Sequence, residues 1–201
     1  MEKSGLLKEY EKKAEDIKKG LESFKKLGGE KYIDEFMFCL LTPASNAKKC
    51  WEAVELLRKE DVLDEKTIKD ILRKYTRFHN NKTRYMMNAL KNWNDISKKI
   101  KDEKGKMLRN YLAEHIQGYG LKEAGHFLRN IGKSENEIAI LDRHILRNMK
   151  ESGIIQEEEI KGKKNYLEIE DKFLEFSKEL GIPADELDLL FWSRETGEIF
   201  K

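Results

Sequence analysis

Apolar residues recur at three- and four-residue spacings along most of this 201-residue chain, and no stretch sustains the two-residue alternation of a half-buried strand. Proline, which interrupts helices by removing a donor and clashing with the preceding turn, occurs only at Pro43 and Pro183. The pattern predicts helix after helix, an all-α fold. Residues 5–27 carry Leu6, Leu7, Tyr10, Ala14 and Ile17 along one side, and Gly28-Gly29 ends the run. Residues 32–41 are apolar nearly all round, as in a buried helix. The loop Thr42-Pro43-Ala44-Ser45-Asn46 stops that helix and offers Ser or Asn to cap the next, which bears Ala47, Cys50, Trp51, Val54 and Leu57. Further helices are expected over residues 65–74, 81–91, 96–101, 107–117, 138–149, 166–180 and 185–192. Asp142 or a near neighbour should cap the 138–149 helix, and Asp185 the last one. The Lys/Glu run at 156–164 reads as a solvated connection.

Charge does not announce a partner. Forty Lys and Arg face 38 Asp and Glu, a net charge of +2, so any attraction to nucleic acid must come from uneven distribution. The two cysteines, Cys39 and Cys50, sit in apolar helical patterns and read as buried core thiols. Two thiols cannot ligate a four-cysteine iron–sulfur cluster, and the four histidines lack paired metal spacing. No metal and no organic cofactor are therefore expected. The opening MEKSGLLKEYEKK is charged from its second residue, so neither a signal peptide nor a membrane span is expected, and the plain reading is cytoplasmic. No heptad pattern speaks for self-association, which makes a monomer the default.

The chemistry concentrates in residues 115–131, HIQGYGLKEAGHFLRNI. A Gly-Tyr-Gly turn joins two helical patterns and places Lys122 at the start of the second. Gly118 and Gly120 let backbone amides approach a phosphate oxygen, to which the next helix adds its positive N-terminal end. Tyr119 and Leu121 can pack the hairpin onto its own helices. A plain interhelical turn using glycine at a positive φ fits the same letters. An amine attacks only when neutral, and partial burial and a helix N-terminus both favour that form. Glu123, next along the chain, favours the charged one, and a surface lysine touching phosphate is the simpler alternative. Asp142, 20 positions on, follows the apolar run Ile138-Ala139-Ile140-Leu141. It reads as an N-cap, and a carboxylate so fixed can also stabilise positive charge on a sugar.

GYGLKEAGHFLRNIG followed by AILDRHILR resembles the helix-hairpin-helix superfamily of DNA glycosylases. LLTPASNAKKCWEAV, YTRFHNNKTRYM and the ending DLLFWSRETGEIFK narrow the resemblance to the second, mainly archaeal class of 8-oxoguanine DNA glycosylases, over residues 36–201. It implies two helical lobes with a DNA-binding cleft between them. A central lobe, 30–131, would end in the hairpin; residues 1–29 would pack with a C-terminal lobe, 132–201. It further implies a bifunctional glycosylase and AP lyase acting on double-stranded DNA that contains a damaged base. The lysine at position 122 would attack C1′ of a flipped-out nucleotide and cut the strand by β-elimination. Asp142 would support charge development and amine activation, and His144 would contact the DNA backbone.

The resemblance also places Phe78, Trp192 and the terminal Lys201 around the base, two faces and a polar edge. Taken without it, Trp192 reads as a core residue, Phe78 as a loop anchor and Lys201 as a frayed tail. The loop Ala44-Ser45-Asn46 corresponds to the segment approaching the widowed opposite base. Ala44 stands where the family usually has a polar wedge, which puts strong opposite-base discrimination in doubt. A monovalent cation on the hairpin carbonyls is compatible with the motif. Two alternatives stay open: another damaged base, such as an oxidised pyrimidine, and a non-catalytic phosphate clamp.

Overall fold

The computed structural model describes residues 3–199. They form eleven α-helices and one short 3-10 turn, with no strand among the described residues. In chain order the helices are α1 (Lys3–Lys25), α2 (Tyr32–Leu41), α3 (Ala47–Leu57), α4 (Glu65–Tyr75), α5 (His79–Lys91) and α6 (Trp93–Asp102). Then come α7 (Gly105–His115), α8 (Leu121–Asn130), α9 (Arg143–Glu151), α10 (Lys163–Leu180) and α11 (Ala184–Thr196). Two compact units result: Leu27–Ile131, and Met1–Lys26 together with Gly132–Lys201.

The unit Leu27–Ile131 is built around α2. Every residue of α2 from Asp34 to Leu41 is buried, the apolar run 36–41 carrying the two acids before it into the core. Phe36 stacks on Tyr119 at 4.7 Å between ring centres and meets Trp93 and Phe127 edge-on. Phe38 does the same with Trp51 and His126. The two acids on α2 are buried with partners: Arg58 reaches Asp34 at 3.3 Å, and Asn130 donates to Glu35 at 3.0 Å. Two helix starts in this unit carry a side-chain acceptor for their orphan amides. Asn46 accepts the Lys49 amide at 3.1 Å, and Asp64 accepts that of Thr67 at 2.7 Å.

In the other unit, α1 lies on α11. Leu6, Ile17 and Phe24 are its buried residues. Lys13 donates to Ser193 at 3.1 Å, Arg194 pairs with Glu9 at 3.0 Å, and Tyr10 donates to Glu186. Phe173 of α10 meets Phe191 of α11 edge-on, which joins these two helices at the core.

Two expectations fail here. Residues 138–142 are not helical, and α9 begins only at Arg143. Their backbone is instead satisfied by side chains of α10: the Ala139 amide donates to Glu170 at 3.0 Å, and Tyr166 donates to the Ala139 carbonyl at 2.7 Å. Nor does Asp185 cap α11. Pro183 occupies that position, while Asp185, inside the first turn, accepts from Ser134 and donates its amide to Asn136 at 3.1 Å.

Candidate active site

The hairpin is shaped by what surrounds its glycines. Gly118 has φ +90°, and a Cβ there would lie 2.4 Å from the Tyr85 ring, so both backbone and space require glycine. Asn88 of α5 donates to Gln117 at 3.1 Å and ties the turn down beside it. Tyr119 points inward: its ring stacks on Phe36 and its hydroxyl donates to the Phe36 carbonyl at 2.8 Å. Its side chain is thus core, and only its main chain is left for a ligand. Gly120 is extended and exposed, but its amide donates to the Glu123 carboxylate at 3.1 Å instead of facing outward. Leu121, half-buried, opens α8.

Lys122 lies in the first turn of α8 with its side chain 24% exposed. Its Nζ is 3.1 Å from the second oxygen of Glu123. One carboxylate therefore holds both the hairpin amide and the amine, where the letters alone show only an opposing charge. The Lys122 charge is felt by two thiols and a second amine. Burial pushes Cys39 well up, with Glu35 adding to the rise and the charges of Lys122 and Arg129 opposing it. Cys50, which donates to the Leu41 carbonyl at 3.2 Å, is pushed up to about 11, again by burial first. Both cysteines are buried and free.

The same unit carries two exposed segments. Ala44 is the tip of the 42–46 loop, with φ +54°. Ser45 is half-buried and Asn46 is exposed at the α3 cap. Phe78 precedes α5 with φ +57° and is 60% exposed, its ring under the Arg77 guanidinium at 5.6 Å. The Arg77 amide donates to the Ser45 hydroxyl at 2.9 Å, which brings the two segments together. The Pro43 carbonyl and the Ser45 hydroxyl are in turn bound by the ammonium of Lys82, a residue that the motifs did not single out. A lysine sharing the inward positions of Met86 and Ala89 on α5 is the signal that could have found it.

The remaining candidates belong to the other unit. Asp142 caps α9, its Oδ1 accepting the amides of His144 at 2.8 Å and Ile145 at 2.9 Å. His144 is half-buried, 3.7 Å from Glu195, whose carboxylate is also paired with Arg147 at 2.7 Å. Trp192 is half-buried on α11. Lys201 lies outside the described residues.

The unit Leu27–Ile131 thus supplies an amine beside a glycine hairpin and an exposed aromatic face, and the other unit a carboxylate fixed at a helix start. The family model for 8-oxoguanine DNA glycosylase matches residues 14–182. A protein of Fusobacterium nucleatum named 8-oxoguanine DNA glycosylase/AP lyase is 38% identical over 205 residues, covering 96% of this chain and 94% of that protein. The crystal structure of the 8-oxoguanine DNA glycosylase of Thermotoga maritima aligns with a TM-score of 0.87 at 29% identity, over the full length of both chains. The Methanocaldococcus jannaschii 8-oxoguanine glycosylase/lyase, crystallised with a 15mer DNA containing 8-oxoguanine, aligns at 0.83 and 30% identity over 98% of this chain and 99% of that one. By motif, fold and match across most of its length, this chain belongs to the helix-hairpin-helix family of 8-oxoguanine DNA glycosylases.

Proposed function

We propose that the protein removes 8-oxoguanine from double-stranded DNA and then cleaves the strand, with Lys122 as nucleophile. The observation that carries this reading is the half-buried Lys122 at the start of α8, behind a hairpin that only Gly118 can form. In its neutral form the Lys122 amine adds to C1′ of the damaged nucleotide as the bond from C1′ to the base breaks, and the base leaves with a proton. Opening of the sugar gives an imine between Lys122 and C1′. Loss of a C2′ proton then expels the 3′ phosphate oxygen, and water hydrolyses the imine to free the enzyme. The amine is the protein's own, so no step calls on a cofactor.

Asp142, held by two amides, is a fixed negative charge for the cationic sugar of the first step. Phe78 and Trp192 supply faces for the flipped base, and Lys201 a polar edge. The main chain from Gly118 to Leu121, with Ala44, Ser45, Asn46 and His144, meets the DNA backbone and the widowed partner base. The enzyme acts as a cytoplasmic monomer on this reading; among the described residues no helix is long and apolar enough to cross a membrane.

The test is an end-labelled duplex with one 8-oxoguanine, incubated with borohydride and either wild type or Lys122→Gln. Trapping by wild type alone is the expected result. Trapping by both would move the nucleophile elsewhere. Failure on this duplex with trapping on abasic DNA would point to another base, and failure on both would leave a phosphate clamp.

A further inference from the structure

Lys82 is 4% exposed, and its ammonium has three hydrogens and three acceptors. It donates to the Leu41 carbonyl at 2.6 Å, the Pro43 carbonyl at 2.8 Å and the Ser45 hydroxyl at 2.9 Å. Leu41 ends α2, where carbonyls lack helical partners and the dipole favours a cation. Ser45 in turn accepts the Arg77 amide, and Phe78 follows. One buried charge thus joins the end of α2, the 42–46 loop and the turn before α5. The loop and the turn each contain a non-glycine residue at positive φ, Ala44 and Phe78, a conformation that persists only when its surroundings hold it.

Packing alone does not call for a lysine. Met86, one turn on, fills the same face without a charge to desolvate. The three acceptors of Lys82 are neutral, and burial pulls the group down to about 8 from its ordinary 10.5. Two titratable groups face it: the Cys50 thiol, which opposes that fall, and Lys122, which adds to it. The Lys82 ammonium therefore stands in the field of the proposed nucleophile.

We propose that Lys82 is a positioning residue, whose ammonium clasps the 42–46 loop to the 76–78 turn and sets the surface that these segments present to DNA. This rests on the glycosylase reading for what the surface does, and on geometry alone for the clasp.

The experiment compares wild type with Lys82→Met in two ways. Amide hydrogen exchange on the free protein should rise by about tenfold at 42–46 and 76–78, and much less elsewhere in 27–131. On duplexes carrying 8-oxoguanine opposite each of the four bases, KM should rise by roughly tenfold with a far smaller change in kcat, and the preference among opposite bases should flatten. A general loss of stability would instead spread the exchange and leave KM in place. A folded variant with unchanged exchange in both segments, or with unchanged KM, overturns the proposal. Should Lys82→Met not fold, Ser45→Ala decides by the same criteria, since it cuts the link between Lys82 and Arg77 but leaves both carbonyl acceptors. A wild type that excises nothing from any duplex would defeat the glycosylase reading, while the exchange arm would still decide the clasp.

Discussion

The Tyr166 hydroxyl donates to the Ala139 carbonyl at 2.7 Å and so keeps an apolar run out of the helix that its letters would otherwise continue. The same oxygen accepts the Leu141 amide at 3.4 Å, and Glu170 takes the Ala139 amide. Asp142 itself is extended and opens α9, so its carboxylate sits at a helix start and not inside a helix.

Tyr166→Phe should therefore act at a distance from its own position. A buried carbonyl and amide lose their partner, which costs about 1–3 kcal/mol. Urea denaturation would show it, and excision should fall with it because Asp142 loses its fixed approach. An unchanged midpoint would mean that the hydroxyl is dispensable to the clamp.

Asp142 separates into two roles by substitution. Asn caps as well as Asp does, so Asp142→Asn should keep the thermal midpoint while cutting excision by about 100-fold or more, if the charge matters to the sugar. Asp142→Ala should lose a further ~1 kcal/mol of stability. Equal activity in Asp142→Asn and wild type would reduce this residue to a cap.

The two hairpin glycines should differ. Gly118→Ala meets both a positive φ and the Tyr85 ring, and we expect a loss of more than about 1 kcal/mol with weakened DNA binding. At Gly120, φ is −105° and a Cβ would come within 3.1 Å only of the flexible Glu123 carboxylate. Gly120→Ala should be milder in melting experiments, and the reverse order would contradict the packing described.

Phe78 holds an uncommon backbone conformation while most of its ring is in solvent. Phe78→Gly should thus leave stability level or raise it by up to ~1 kcal/mol, by removing the strain of φ +57°. Excision should nonetheless fall, since a stacking face is gone. Retained activity would show that the base does not rest there.

Lys82 also predicts a pH dependence. Its folded value of about 8 is below the 10.5 of an ordinary lysine, so between those limits the unfolded chain binds more protons than the folded one. The cost of burying the ammonium is full below pH 8 and disappears as pH rises toward 10.5. The stability of wild type relative to Lys82→Met should accordingly improve with pH across that window, as measured by denaturation at several pH values. A flat or falling difference would contradict the depressed value.

Local pattern carried the helices because their spacing is written in neighbouring residues. All ten residues of α2 could be delimited from composition, and Asn46 was open to reading as a cap. So were the positions of Lys122 in the first turn of its helix and of Asp142 before its own. What escaped were features decided by distant residues. The stretch 138–141 is apolar enough for a helix, and only Tyr166 and Glu170 overrule it. Asp185 has the chemistry of a cap, but Pro183 starts the helix and Ser134 engages the carboxylate. Lys82 gave one local hint, its place in an apolar stripe, while its three acceptors come from 37 to 41 residues away.

The pairing of α1 with α11 has a consequence for how the chain is made. On the ribosome α1 emerges before the central unit, yet the partners of Glu9, Tyr10 and Lys13 are synthesised only after it. Residues 27–131 can complete their own core in the meantime, so the order of birth and the order of docking are opposed. Once residues 27–131 have cleared the ribosome, the chain carries a finished central unit and an amphipathic helix still waiting for α11, a natural substrate for chaperones until that helix arrives.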